Sequence, residues 1–436
     1  MMVNSWGNYP KCQNIKRQYV SWRDQSDLFN ELPVLPYGMG RSYGDSCLNA
    51  SGVVLDTKYL NHMIAFNEEH GVLRCEAGVT LGTVLKLITK KGWMLPVLPG
   101  TKFVTVGGAI ANDIHGKNHH VSGTFGCHVK QFELLRSNGD RLICSATKNT
   151  KMYQATIGGL GLTGLILWAE IQLKPIVSEY LEVDALPFNG LEEFIKLSTE
   201  GMKQYEYTAA WLDCQSKGKR FGRGILFQGN FLKNASLSPK KSKRIRKKTV
   251  PFPLPSFVLN RYSIGAFSQA YYLANARESC RHQIVHYDSH FFPLDNVHQW
   301  NLIYGKKGFV QYQCAVPFEN ALMTLTSLLK KITQSGQGSF LSVIKILGDI
   351  KSPGLLSFPM PGITLALDFP FRGKKTLTLL NELDVIVLEG KGRVYPAKDA
   401  RMSKETFNIY YPKLNEFMKE KDPNFSSSFW RRMNIT

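Results

Sequence analysis

The chain of 436 residues is 43% hydrophobic and 20% charged, ordinary globular proportions that exclude disordered, collagen-like and coiled-coil readings. Its 54 Lys and Arg against 34 Asp and Glu give a formal charge of +20, which favours an anionic partner: nucleic acid, acidic lipid or a phosphorylated substrate. No run reaches the ~18 uninterrupted apolar residues of a spanning helix. The first ten residues lack the basic and apolar regions of a secretory signal, and eight scattered cysteines without a C-x-x-C pair argue against a disulfide framework and suit a reducing cytoplasm.

In chain order, the apolar Leu32 to Leu35 leads into Pro36-Tyr37-Gly38-Met39-Gly40-Arg41-Ser42-Tyr43-Gly44-Asp45. Closely spaced glycines let successive N–H groups point into one concavity, a nest suited to a pyrophosphate. The loop is neither a G-K-[ST] phosphate loop nor G-x-G-x-x-G. Short β-rich runs (Val53 to Leu55, Val72 to Cys75, Phe132 to Leu135) then alternate with helix-like stretches such as Leu81 to Lys91, the pattern of an α+β domain reaching about Pro175. Within it, Leu98-Pro99-Gly100-Thr101 and Thr105-Val106-Gly107-Gly108-Ala109 suit a tight backbone passage against a flat ring, and His115, Lys117, His119 and His120 follow. A metal reading of those histidines lacks an H-E-x-x-H pattern and any nearby Cys or Glu ligand, so no metal site is expected. A third glycine cluster, Gly158 to Gly164, packs backbone around a cofactor.

From about Ile176 to Leu388 the glycine clusters give way to frequent Trp, Tyr and Phe, the composition of a second, cap-like domain. The block Lys240 to Lys248, beside Pro251-Phe252-Pro253-Leu254-Pro255, reads as a mobile basic loop near 233–256. Lys398 stands in an apolar and aromatic context beside Asp399 and Arg401, and a helix-like tail from Ser403 is expected to pack back on the first domain.

Together and in register, these segments resemble the vanillyl-alcohol-oxidase type of FAD-binding protein (the p-cresol methylhydroxylase, or PCMH, group) over nearly the full length. Gln311-Tyr312-Gln313, Leu356 to Pro359, Asp368-Phe369-Pro370 and Ala397-Lys398-Asp399 add to the match. The resemblance implies an α+β, two-domain protein: a PCMH-type FAD-binding domain over 1–175, completed by 389–436, plus an antiparallel-sheet substrate (cap) domain over 176–388. It implies FAD, with Tyr37, Gly38, Met39, Gly40, Arg41, Ser42, Tyr43, Gly44 and Asp45 around the pyrophosphate. Gly100, Thr105, Val106, Gly107, Gly108, Asn112, Asp113, Ile114 and His115 line the flavin and ribityl side, Ile166 lies near the adenosine, and Tyr395 closes the far edge. Many relatives attach FAD covalently to a histidine in the first loop; Arg41 stands there, which implies non-covalent FAD.

The reaction implied is oxidation of the C2 hydroxyl of a polyprenyl-phosphate-linked pentose, with hydride passing to flavin N5. It is the first half of a 2′-epimerisation in cell-wall or surface-glycan precursor synthesis. An NAD(P)H-dependent short-chain reductase completes that exchange, a quinone-like acceptor reoxidises the flavin, and the enzyme works on the cytoplasmic side at the anionic surface of the inner membrane. Lys398 would accept the hydroxyl proton or stabilise the anionic reduced ring, with Tyr43 and His115 as further catalytic candidates. Lys117, Trp211, Phe291, Gln311, Gln313, Lys345, Thr364 and Ala366 would form the substrate side. Three positions depart from the family's pattern: Ala366 replaces a pocket cysteine, Thr364 an asparagine and Phe291 a tyrosine. Two alternatives stay open: a soluble sugar-alcohol or aldonolactone oxidase of the same fold, and a nucleic-acid-binding module, motivated by charge alone and carrying no recognisable motif.

Overall fold

The computed structural model describes residues 3–239, 248–277 and 281–433. Near the N-terminus, Lys16–Tyr19, Val53–Asp56 and Val34–Tyr37 form a parallel three-stranded sheet with Val53–Asp56 in the centre. An antiparallel sheet follows in the order Met63–Asn67, Val72–Glu76, Leu165–Gln172, Val129–Leu135, Arg141–Ser145. Leu81–Ile88 is helical because Thr80 caps it, its hydroxyl accepting from the Thr83 N–H, and because Leu81, Val84, Leu85 and Ile88 make one buried stripe. Helix Val106–Ala111 is capped the same way by Thr105, which accepts from the Gly108 N–H at 3.1 Å.

Eight further strands build one antiparallel sheet, ordered His282–His286, Tyr180–Asn189, Arg223–Phe231, Tyr207–Leu212, Ser342–Leu347, Gly362–Pro370, Phe309–Val316, Arg393–Val394. The sheets and the helices together make an α+β fold. One face of the large sheet is apolar and covered by helices Leu191–Gly201, Phe318–Ser335 and Lys374–Glu389. Ala321, Leu325, Leu328, Leu329 and Ile332 repeat at helical spacing along Phe318–Ser335 and meet Val310, Tyr312, Cys314 and Val316 of Phe309–Val316 in one core.

Side chains alternate across a strand, so the residues between those core positions point the other way. Gln311 and Gln313, then Val343 and Lys345, then Thr364 and Ala366, and Trp211 all reach a cavity between this sheet and the N-terminal loops. Register sets them side by side: Gln311 opposes Asp368, Gln313 opposes Ala366, and Lys345 opposes Thr364. The tail is anchored twice. Val34 donates to Asn424 O and Ser426 donates to Val34 O, both at 2.9 Å, while Phe407, Phe417 and Phe429 join the core beneath the large sheet.

Candidate active site

The cavity holds about 660 Å³, within the range of cofactor and ligand sites. Its floor begins where strand Val34–Tyr37 ends. At Gly40 the backbone has φ +58°, and a Cβ there would stand 2.2 Å from the Tyr37 hydroxyl, so only glycine allows the turn. Among the described residues, none of the backbone N–H groups of Met39, Gly40, Arg41 and Ser42 donates a hydrogen bond to the protein. Arg41 lies 3.9 Å above the Trp6 ring, and its Nε is buried without a partner. Burial lowers the pKa of this guanidinium. Unpaired N–H donors beside an unmatched cation form a donor set for a phosphate group.

Beyond the loop, Gly107 and Gly108 of helix Val106–Ala111 leave the wall flat, and Gly100 has open space where a Cβ would stand. Asn112 donates to Gly108 O at 2.8 Å, and the Tyr395 hydroxyl donates to Asn112 O at 2.6 Å. Tyr395 stacks on Phe358 with 4.5 Å between centroids. The residues therefore fit FAD: loop 38–42 for the pyrophosphate, the glycine wall and Tyr395 for the ring system.

The opposite wall is chemically dense. Lys398, half-buried, sets its Nζ 3.9 Å from the centroid of Tyr43, which meets Phe309 edge-on. Loss of solvation, partly offset by Asp368, lowers the Lys398 pKa to about 8. Asp368 is buried; it accepts from Gln311 Nε2 at 2.6 Å and from the Tyr304 hydroxyl at 3.3 Å, and burial raises its pKa to about 7. Lys345 Nζ donates to His115 Nδ1 at 2.7 Å and to Gly116 O, and His115 Nε2 lies 3.1 Å from the amide of Gln313. Burial and Lys345 hold His115 well below its usual pKa, as a neutral imidazole. Lys117 donates to His290 O at 2.6 Å and sits over the Phe291 ring. Gln313 also donates to Thr364 Oγ1 at 3.3 Å, and Trp211 Nε1 donates to Phe340 O at 3.2 Å.

Of the residues expected from the sequence, Tyr37 to Tyr43, Gly100, Thr105, Gly107, Gly108, Asn112, Ile114, His115, Lys117, Ile166, Trp211, Phe291, Gln311, Gln313, Lys345, Thr364, Ala366, Tyr395 and Lys398 line this one cavity. Four expected cofactor residues lie behind it. Gly44 is required because a Cβ would stand 1.6 Å from Asp399 O. Asp45 turns away to pair with both arms of Arg432 at 2.9 Å. Val106 is buried in the hydrophobic core, and Asp113 accepts from Gly126 N, Ser352 and Ser357 in a buried brace. The histidines following His115 diverge: His119 is buried with neither ring nitrogen paired, and His120 bonds Tyr205 O. No group of His, Cys, Asp or Glu able to hold a metal is found among the described residues. Most of the basic block, 240–247, lies outside the described residues.

Three features were not read from the sequence. Trp6 underlies Arg41, Asp368 braces Gln311, and Phe267, Tyr271, Phe340 and Leu341 add an apolar lining to the cavity.

A nucleotide cradle joined to a wall of lysine, tyrosine and amide groups is the site of a FAD-dependent oxidoreductase. Residues 28–145 match the family described as FAD binding domain. The chain is 37% identical over 415 residues to decaprenylphosphoryl-beta-D-ribose oxidase of Mycolicibacterium smegmatis, covering 92% of this chain and 89% of that protein. It is 30% identical over 376 residues to an uncharacterized Streptomyces coelicolor protein from the mprA 5′ region, covering 82% of this chain and 100% of that one. Human delta(24)-sterol reductase is 32% identical over 134 residues, 30% of this chain and 26% of that enzyme. The chain belongs to the family of the FAD-dependent decaprenylphosphoryl-beta-D-ribose oxidase, and FAD is its cofactor.

Proposed function

We propose that this enzyme oxidises the C2 hydroxyl of a polyprenyl-phosphate-linked pentose to the 2-keto sugar, the first half of a 2′-epimerisation in cell-wall or surface-glycan precursor synthesis. The observation that carries the reading is that the cavity is amphiphilic. Lys398, Tyr43, His115 and Gln313 give it a polar part, whereas Trp211, Phe267, Tyr271, Phe340 and Leu341 give it an apolar wall with room for a lipid chain. A soluble sugar-alcohol or aldonolactone oxidase has no use for such a wall. On this reading residues 1–175 with 389–436 hold the cofactor, and 176–388 face the substrate.

When bound, non-covalent FAD supplies the hydride acceptor. The protein does the rest. A Lys398 amine with a pKa of about 8 is neutral in a large fraction of molecules near that pH, so its Nζ takes the hydroxyl proton. Asp368 holds Gln311 in place, and His115, fixed by Lys345 and Gln313, orients the sugar. The sheet and its aromatic edge exclude water from the reacting carbon.

The localisation we propose is peripheral, at a membrane surface. No helix among the described residues is long and apolar enough to cross a membrane. Between Asp213 and Glu278 the sequence carries fourteen Lys and Arg and no Asp or Glu, and helix Arg261–Asn275 exposes Tyr262, Phe267 and Leu273 beside the cavity. A strongly basic stretch of sequence with exposed aromatics beside it supports peripheral binding to an anionic membrane, here read as the cytoplasmic face of the inner membrane. A quinone-like electron acceptor and a short-chain reductase that uses NAD(P)H would complete the exchange.

The test is anaerobic reduction of the FAD-loaded enzyme by a panel of sugars. A farnesyl-phosphoryl pentose should bleach the flavin band. Bleaching by alditols or aldonolactones, with the lipid-linked pentose inert, would overturn the reading.

A further inference from the structure

The cavity wall carries four cationic side chains, Arg41, Lys117, Lys345 and Lys398, and no Asp or Glu among the described residues. None of the four has an ion-pair partner among those residues. Charges are withdrawn from water at a cost unless matched, and burial lowers the pKa of each lysine, to about 8 for Lys117, about 7 for Lys345 and about 8 for Lys398. The two phosphates of FAD bring two negative charges. Arg41, on the glycine loop, answers that pyrophosphate, and Lys398 beside Tyr43 serves the reacting centre. Lys117 and Lys345 are left over.

These two lysines converge. Lys345 reaches across from strand Ser342–Leu347 to the carbonyl of Gly116, the residue before Lys117, and Lys117 is tethered to His290 O. Each is near enough to the other that Lys117 further lowers the Lys345 pKa. Each tether uses neutral acceptors, a carbonyl or the imidazole of His115, which leaves the charge of both ammonium groups uncompensated. An ammonium has three donors, so both retain N–H groups for an anion.

We propose that Lys117 and Lys345 form a subsite for a phosphodiester, which seats the anionic link of the substrate between the sugar and the lipid chain. This rests on the reading of the substrate as a lipid-phosphate sugar and adds which side chains hold the phosphate. It also predicts selection against neutral polyols: without an anion, two clustered ammonium groups stay unmatched, a penalty that the correct substrate relieves.

The experiment uses the FAD-loaded protein and two probes, farnesyl methyl phosphate, a diester that stays a monoanion throughout, and farnesol, which has no charge. Calorimetric titration at pH 6.5 should show the diester binding about tenfold or more tighter than farnesol. Lys117→Met with Lys345→Met should abolish that preference while farnesol affinity and FAD content per chain are retained. Persistence of the preference in the double variant would overturn the subsite. So would loss of FAD with the lysines, which would assign them to the cofactor phosphates.

Should the double variant fail to fold, pH decides with Lys117 and Lys345 both in place. Burial keeps His115, His119, His120 and His290, the neighbouring imidazoles, neutral throughout, and the diester does not titrate. Asp368, with a pKa of about 7, gains negative charge over the low end of this range, and Lys398 loses its proton alongside Lys117 and Lys345. A Lys398→Met protein removes that third lysine from the comparison. In it, the preference for the diester should fall at least several-fold between pH 6.5 and 9.5; a constant preference would overturn the proposal. The substrate reading fails separately: a diester that binds on the lysines while farnesyl-phosphoryl pentose leaves the flavin oxidised preserves the subsite and removes the reaction.

Discussion

The two sides of the cavity recognise their ligands by different means. The floor, residues 37–42 with 100–112, works largely through backbone: free N–H groups, glycines and a short capped helix. The opposite wall works through side chains: Trp211, Gln311, Lys345 and Thr364 from strands of one sheet, with Tyr43, His115 and Lys398 from the loops that face them. A backbone cradle depends on loop shape, so, Arg41 and the required glycines apart, single side-chain changes there should alter cofactor affinity little. A side-chain wall depends on charge and position, so single changes there should alter turnover severely.

The largest expected effect lies on the side-chain wall. Lys398→Met should slow substrate-dependent flavin reduction by roughly 10²–10⁴-fold with FAD retained, as read by stopped-flow absorbance. A near-normal rate in the folded, FAD-loaded variant would break the contrast.

Next comes the support beneath the cradle. Arg432 pairs with both Asp45 and Asp399 at 2.8–2.9 Å, and those carboxylates are almost fully buried. Arg432→Ala leaves them unmatched, and a loss of about 3–5 kcal/mol is expected in denaturant unfolding. A loss under 1 kcal/mol would show that the tail does not hold the loop.

Asp368→Asn sharpens the contrast by separating charge from contact. Asp368 raises the Lys398 pKa, so removing its charge lets that pKa fall. Flavin reduction that needs the neutral amine rises with pH through the Lys398 pKa, and this limb should move to lower pH in the variant. An unmoved limb would mean that another group titrates.

The smallest effect is on stability. Unfolded, Lys345 keeps its proton to about 10.5, whereas in the folded protein it loses it near 7. Between those values the unfolded chain binds more protons, so the contribution of Lys345 to stability rises with pH across that window. Lys345→Met should therefore be more stable than the parent near pH 7, and the gap should narrow towards pH 10 in paired thermal melts. A gap that widens with pH would reverse the assignment.

The same division explains what could be read from the sequence. The cradle is contiguous, so the glycine spacing at 38–44 and 107–108 already marks it. Even there, Gly44 and Asp45 carried a second meaning, since contacts with Asp399 and Arg432, hundreds of residues away, decide their orientation. The wall is assembled from strands far apart in the chain. Gln311, Lys345 and Thr364 were legible through family resemblance, and alternation within each strand fits but does not reveal them. Asp368 was visible as part of Asp368-Phe369-Pro370, yet its role needed the register that sets it opposite Gln311. Trp6 lacked any local signal, because only folding brings it beneath Arg41.

The resemblance puts Arg41 where relatives attach FAD to a histidine, so we expect non-covalent FAD, seen as full release of flavin on acid precipitation. The reaction itself is tested most directly by isotopic substitution in the substrate. Deuterium at C2 of a farnesyl-phosphoryl pentose should slow anaerobic flavin reduction with a primary isotope effect, and deuterium at C3 should not. A primary effect at C3, or none at C2 when the chemical step is isolated in a single turnover, would contradict oxidation of the C2 hydroxyl.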